Sequence, residues 1–454
     1  MGDDTTGAER AWSFRSFWPL LVLAALCAGL FAPAARAAGA TPPRTALLKA
    51  HTDLQALVRQ AHAPGTRKLL NGATSELGGA TAAALWLDPN DAAAPPAGTA
   101  VVADCRAALV DLSRLTGPLA RSRARTAATQ LILTADRQLA VRVIAEAAGG
   151  NRSLLKLANN ALAAGGRASA GGRFAAAVGD FGIAWQDGFG ALTNVVVTAA
   201  THVSVASLSS TANKAQANPA VSIVNLTTVN GQSPLTSNGK PELLFIYSRS
   251  CSACALESWA IVTALSQFGS FSNLQLSQFA AQNTTPAVAG FTFAGSSYHS
   301  SYLAFVPIEL ATAPGPAGYS SPPQLTSAQS ALFETLDPLG TLPFYDLANS
   351  LASIGPPVQP SLASGVSWRQ VASTLTDPGS STAQEILGPG EALAYAVCQH
   401  LANDGLPFPA SCSTLTSQGP GYCASDVFDP PVPADVARRR VETPVARPAV
   451  CRIG

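Results

Sequence analysis

Apolar residues recur at helical spacing through the first half of the chain. Leucine and valine lie three and four positions apart over residues 47–58 and 109–115, the periodicity of an amphipathic helix. Two Ala/Leu-rich stretches, 126–148 and 154–164, each end at a glycine pair, which is a helix stop signal. The pattern predicts a mostly α-helical domain over residues 42–205. It contains no catalytic constellation, and we interpret it as a bundle for packing or partner contact.

The pattern changes near residue 220, where short apolar runs begin to alternate with helical stretches, as in an α/β domain. The run 243–247 is continuously apolar, which predicts a strand covered on both faces. Further strands are predicted over 274–279 and 302–310. The Ser/Thr/Asn/Ala-rich segment 201–219 is interpreted as a linker, so the helical part and an α/β domain over 220–412 are expected to fold separately.

Both ends of the chain differ from its middle. Arg10 and Arg15 precede an apolar run, 18–31, and small residues follow at 35 and 37, the features of a signal peptide over residues 1–37. About fourteen apolar residues is short of the roughly 20 needed to span a bilayer, which favours cleavage. A single uncleaved N-terminal membrane anchor is the alternative. We therefore expect an extracytoplasmic protein, secreted or anchored at the outer face of the cell membrane. The Pro-rich tail, 424–454, is predicted to be disordered.

Charge and histidine content argue against two kinds of partner. The formal net charge is +1, which gives no field to attract nucleic acid, and Arg438–Arg440 lie isolated in the tail. The five histidines have no ligand-like spacing and the chain has a single CxxC, so a metal site is not expected. Cys27 lies in the signal segment, so cleavage leaves seven of the eight cysteines in a compartment that permits disulfides.

Cys251 and Cys254 form a CxxC motif between the predicted strand and a helical pattern that runs from Leu256 to Phe268. Cys251 would lie near the helix N-cap, where unpaired N–H groups and the helix dipole favour a thiolate. Cys254 would lie almost one turn later, close enough to attack a mixed disulfide on Cys251. This chemistry needs neither a metal nor an organic cofactor. The motif therefore predicts a thiol–disulfide exchange site.

The stretch from Gly239 to Cys412 resembles the thioredoxin-like prokaryotic proteins catalogued as the domain-of-unknown-function 929 family, many of them membrane-tethered. The landmarks that carry the resemblance follow one another in order: Gly239-Lys240-Pro241, the CxxC, Glu257-Ser258-Trp259-Ala260, Thr285-Pro286, Tyr302 to Glu309, Pro343 to Asn349, Pro360-Ser361-Leu362, Ser367-Trp368, and Cys398 with Cys412. The resemblance implies an α/β, thioredoxin-like fold with a helical insertion. It implies no direction of electron flow, because the residues around the CxxC depart from the family's pattern, and no substrate, because the family has no firmly assigned substrate.

The resemblance also bears on prolines and on a second cysteine pair. Thioredoxin-fold enzymes place a cis-proline opposite the CxxC, and Pro343 is preferred over Pro286 because it leads a predicted strand. Cys398 and Cys412 correspond to a structural disulfide, which would close about 15 residues. Cys423 competes with Cys398 for Cys412. Cys105 and Cys451 have no evident partner.

Two functions follow from these expectations. The first is an extracytoplasmic thiol–disulfide oxidoreductase that uses Cys251, Cys254 and Pro343 on exported proteins or on a redox partner protein. The alternative is a non-enzymatic envelope protein whose helical part binds a partner and whose thioredoxin fold is a redox-inert scaffold.

Overall fold

Helices make up the N-terminal part of the protein. The computed structural model describes residues 41–88, 90–91, 94–95, 97–221, 226–279, 287–310, 325–355, 358–415 and 427–428. Within these residues, the helices that precede the first strand are α1 (Pro43–Gln60), α2 (Pro64–Ala80), α3 (Ala97–Ser113), α4 (Arg123–Glu146), α5 (Arg152–Ala170), α6 (Phe174–Thr201) and α7 (Val205–Gln216). The predicted mostly helical N-terminal region is therefore confirmed.

Local sequence explains where these helices begin. Proline occupies the first turn of α1 and α2, where its missing N–H costs nothing. The Ser122 hydroxyl accepts the Arg125 N–H at the start of α4, and the Asn151 side chain accepts the N–H of Ser153 at the start of α5. Gly149 has a φ of 86°, which lets the chain leave α4 sharply.

The C-terminal part combines strands and helices. The strands are β1 (Thr227–Val229), β2 (Thr236–Ser237), β3 (Lys240–Tyr247), β4 (Gly269–Ser272), β5 (Gln275–Phe279), β6 (Val288–Thr292), β7 (Ser297–Ser300), β8 (Ala304–Glu309), β9 (Phe344–Leu347), β10 (Leu351–Ile354) and β11 (Val427–Phe428). The helices are α8 (Ser252–Leu265), α9 (Ser327–Leu336), α10 (Trp368–Thr374) and α11 (Ser381–Asn403). The protein is therefore a mixed α/β protein with an N-terminal helical region.

A mixed sheet is centred on β3. Strand β8 pairs with β3 in parallel, and β9 pairs with β3 in antiparallel orientation along its other edge. The sheet continues outward from β9 through β10 and β1 to β11. The side chains of Leu243 to Tyr247 are at most 1% exposed, so this strand is covered on both faces as its apolar sequence predicted. Strands β5 and β6 form a separate antiparallel hairpin.

The prediction of a linker over residues 201–219 is wrong. Its centre is helix α7, whose Leu208 and Thr211 are fully buried. The Asn218 side chain then donates a hydrogen bond to Gln384 of α11 at 2.6 Å. Small polar residues resemble a linker in composition, but here they let α7 pack closely against α11. From Pro42 onward the chain forms one compact unit, and one hydrophobic core extends from α1 to α11 in the described residues.

The predictions for the two ends fall mainly outside the described residues. Residues 1–37, predicted to be a signal peptide or anchor, lie outside them entirely. In the tail, Val427–Phe428 form β11 and pair in parallel with β1, so the prediction of disorder is wrong for these two residues. No single helix in the described ranges has the length and apolar composition to cross a membrane. The pair α6 and α7 meets those criteria together, but it is bent by 77°.

Candidate functional site

A short, ordered turn connects β3 to α8. Ser248 is fully buried, and its hydroxyl oxygen accepts the Ser250 N–H at 3.1 Å. The Cys251 N–H then donates to the Ser248 carbonyl oxygen at 3.1 Å. These bonds satisfy backbone groups that would otherwise lack partners at a strand end. The turn therefore delivers Cys251 to a fixed position at the start of α8.

Cys251 is the N-cap of α8, as the sequence predicted. Its sulfur accepts the Cys254 N–H at 3.1 Å, and the two cysteines form a disulfide with their Cα atoms 5.3 Å apart. Cys251 is half-buried, whereas Cys254 is fully buried. After reduction, the N-cap position places the Cys251 sulfur among the free N–H groups of the first turn, which stabilise a thiolate. The arrangement thus provides an accessible nucleophile and a shielded second sulfur.

Pro343 lies at the same end of the sheet. Phe344 pairs with Ile246 in the antiparallel β9–β3 ladder, so continuing the register by one residue places Pro343 beside Tyr247. The Leu342–Pro343 peptide bond is cis, and the Pro343 carbonyl oxygen accepts the Gly355 N–H at 3.1 Å. The structure therefore brings Pro343 to the edge of the sheet from which the chain leads to Cys251. The other candidate, Pro286, lies outside the described residues.

A buried polar network fixes the end of β3. The Glu309 carboxylate, at the end of β8, accepts hydrogen bonds from the hydroxyl groups of Tyr247 and Thr292, each at 3.1 Å. It also forms an ion pair with Arg249, two residues before Cys251. Burial raises the pKa of the Tyr247 hydroxyl, and the nearby Glu309 charge raises it further. The sequence alone does not indicate this network, because its members meet only once β8 pairs with β3.

Glu257 lies one turn after Cys254 on α8. Its side chain is fully buried, and neither carboxyl oxygen has a hydrogen-bond partner within the described ranges. Burial, together with the charge of Glu385 on α11, raises the pKa of Glu257 to about 8. A group that titrates near pH 8 can take up or release a proton under neutral conditions.

The structure pairs Cys398 with Cys412. Their Cα atoms are 5.5 Å apart, and the bond joins α11 to a short turn, Ala410–Ser413. In that turn the Ser411 hydroxyl donates a hydrogen bond to the carbonyl oxygen of Gln267 at 3.3 Å, and Gln267 lies two residues past the end of α8. Since α8 has 14 residues, about 20 Å separates its two ends. The second disulfide is therefore too far from Cys251 to exchange with it directly.

The remaining cysteines occupy different parts of the chain. Cys105 is a buried thiol on α3, whereas Cys423 and Cys451 lie outside the described residues. No group of three or more His, Cys, Asp or Glu side chains in the described part of the chain is arranged to hold a metal ion. The Cys398–Cys412 disulfide lies outside the CxxC motif, and a disulfide of this kind points to an oxidising compartment.

The comparison with protein families bears out the family that the landmarks suggested. Residues 226–316 match the family described as Domain of unknown function (DUF929), so this segment of the chain is similar to that family. The segment contains both cysteines of the CxxC and ends before Pro343 and the second disulfide. No curated protein and no solved structure matches the chain.

Selective labelling tests the difference between the two sulfurs. In the reduced protein at neutral pH, alkylation is expected to modify Cys251 first, because Cys251 is partly exposed and Cys254 is fully buried. Peptide mass spectrometry after a short exposure to iodoacetamide measures the order. Preferential labelling of Cys254 would contradict the assigned roles.

Proposed function

We propose that this protein is an extracytoplasmic thiol–disulfide oxidoreductase that acts on exported proteins through Cys251 and Cys254. The observation that carries the proposal is the position of the pair at the start of α8. Cys251 is half-buried at the N-cap, where its sulfur accepts the Cys254 N–H, whereas Cys254 is fully buried. A structural disulfide does not require this asymmetry, whereas an exchanging pair does.

The order of the strands supports a thioredoxin-like fold with a helical insertion. Four neighbouring strands follow the order β8-β3-β9-β10, with β8 parallel to β3 and with β9 and β10 each antiparallel to the strand before it. The CxxC helix follows the central strand β3, and Pro343 leads β9. Helix α9 lies between β8 and β9 in the chain, and α11 follows β10.

The exchange reaction proceeds through a mixed disulfide. In the oxidising direction, a substrate thiolate attacks the Cys251 sulfur, the Cys251–Cys254 bond breaks, and Cys254 leaves as a thiolate that takes up a proton. A second substrate thiolate attacks the substrate sulfur of the mixed disulfide and displaces Cys251 as a thiolate. The substrate loses two electrons and the pair gains two. The reducing direction runs through the same steps in reverse.

The placement outside the cytoplasm rests on two observations. Residues 1–37 have the charge pattern, apolar run and small residues of a signal peptide or an N-terminal anchor. The chain also contains two intramolecular disulfides, which persist in oxidising compartments. Exported proteins with cysteines, or a redox partner protein, are the corresponding reactants.

A turnover assay with both substrate forms tests the proposal. The purified protein, in a glutathione buffer, is expected to accelerate disulfide formation in a reduced, unfolded model protein or disulfide cleavage in its oxidised form. A variant with both Cys251→Ser and Cys254→Ser is the control and should give only the uncatalysed rate. If the wild-type protein accelerates neither reaction, the redox-inert scaffold becomes the better description.

A further inference from the structure

The first turns of α8 rest on strand β6. The Trp259 indole N–H donates to the Ala289 carbonyl oxygen at 2.9 Å, and the Phe291 N–H donates to the Ser258 hydroxyl oxygen at 2.8 Å. Between them, a Cβ atom added at Gly290 would lie 2.9 Å from both the Cα and the carbonyl oxygen of Ala255. Glycine is needed here because helix and strand touch backbone to backbone. The contact falls on the residue directly after Cys254.

Trp368 holds the β5–β6 hairpin at this point. It is the first residue of α10 and is 2% exposed. Its indole N–H lies 3.1 Å from the carbonyl oxygen of Gly290 and 3.3 Å from that of Ser277. Ser277 and Gly290 are directly opposite each other in the hairpin. One side chain therefore bridges both strands beneath the contact with Ala255.

The N-terminal helical region packs directly on this tryptophan. The Phe189 ring of α6 meets the Trp368 ring edge to face, with centroids 5.5 Å apart and an interplanar angle of 83°. Glu146, at the end of α4, lies beside Ser367, the N-cap of α10. The Ala94 N–H donates to the Gln278 side chain of β5 at 3.1 Å. The helical region thus contacts the hairpin, the ring of Trp368 and the residue that precedes it.

We infer that Trp368 is a positioning residue for thiol–disulfide exchange, through which the helical region holds the first turn of α8 in its active geometry. The inference rests on the proposed function. The path runs from Phe189 through Trp368 and Gly290 to Ala255. It fixes the peptide groups next to the Cys254 N–H, which donates to the Cys251 sulfur. A hydrogen bond to the charged form of a thiol favours that form, so this path sets how readily Cys251 ionises.

The test compares two tryptophans in the full-length protein. Trp368→Phe keeps an aromatic ring but removes the N–H that joins the two strands. Trp86→Phe is the matched control, because the Trp86 N–H also donates to one backbone carbonyl, that of Ala80 at 2.8 Å, and the residue is similarly buried. The readouts are the pH profile of Cys251 alkylation in the reduced protein and the dithiol–disulfide equilibrium with glutathione.

The expected result is a shift of the Trp368→Phe alkylation profile to higher pH, with a rate at pH 7 about threefold lower than in the wild type. Trp86→Phe should leave the profile in place even though it also loses a buried hydrogen bond. Phe189→Leu leaves the hairpin bonds intact and should shift the alkylation profile in the same direction as Trp368→Phe. If Trp368→Phe folds poorly, Phe189→Leu provides an independent measurement.

Two results would overturn the inference. One is an unchanged profile in Trp368→Phe and Phe189→Leu, and the other is an equal shift in Trp86→Phe, which would indicate a general loss of stability. Failure of the proposed function is seen separately, as a wild-type pair that does not equilibrate with glutathione. The alkylation profile is measured without any exchange step, so it tests the role of Trp368 in either case.

Discussion

Replacing Cys251 with serine is expected to reduce thiol–disulfide exchange to the uncatalysed rate, because the accessible sulfur at the N-cap of α8 is the one that substrate reaches. Replacing Cys254 with serine should have a different effect. Cys251 still forms a mixed disulfide with the substrate, but no Cys254 sulfur is present to release the substrate, so the mixed disulfide accumulates. Exchange rates and intact-protein mass spectrometry measure the two outcomes.

The second disulfide provides the control. The double variant Cys398→Ser and Cys412→Ser should keep the exchange rate of the wild type, because that pair lies at the far end of α8. It should lose stability, by about 3 kcal/mol for a closed loop of about 15 residues. Exchange that survives in Cys251→Ser but disappears in the double variant would reverse the roles of the two pairs.

The free energy of unfolding is expected to fall as the pH rises from about 5 to 8. Burial raises the pKa of Asp346 and of Glu391 to about 7, and burial with the charge of Glu385 raises the pKa of Glu257 to about 8. In the unfolded chain these carboxyls ionise near pH 4. Between pH 4 and the folded pKa values the native state therefore binds more protons, and the stability present below pH 4 is progressively lost.

Each such carboxyl contributes a slope of at most about 1 kcal/mol per pH unit within that window. Denaturant unfolding at pH 5, 6, 7 and 8 measures the slope. The variant Glu391→Gln, which removes one titrating group from α11, should show a shallower dependence than the wild type. A stability that is constant or rises over this range would show that these carboxyls are ionised in the folded protein.

The centre of the site was predictable because it depends on local sequence. A continuous apolar run gives a strand that is covered on both faces, and this fixed the position of β3. The cysteine that follows the run is an N-cap, and the apolar pattern after it specifies α8. The strand led by Pro343 was also predicted. This strand ends at Leu347, because Ala348 and Asn349 adopt positive φ values and turn the chain into β10.

The environment of the pair was not predictable, because it depends on tertiary packing. The Glu309 network forms only when β8 lies beside β3. Burial in the tertiary core raises the pKa of Glu257, the charge of Glu385 on α11 raises it further, and no feature of α8 alone indicates either effect. Composition also misled at residues 201–219, where small polar residues suggested a linker. Their small volume instead allows α7 to pack against α11, so the helical region continues into the α/β part.

The reduction potential of the Cys251–Cys254 pair is the most direct test of the account. Equilibration with glutathione or dithiothreitol buffers, read by mass spectrometry, measures it. We predict a value above about −300 mV, with a value near −270 mV indicating a reductase and one near or above −200 mV an oxidant or isomerase. A value below about −300 mV, the range of structural disulfides, would contradict the account and leave the pair as an inert cross-link.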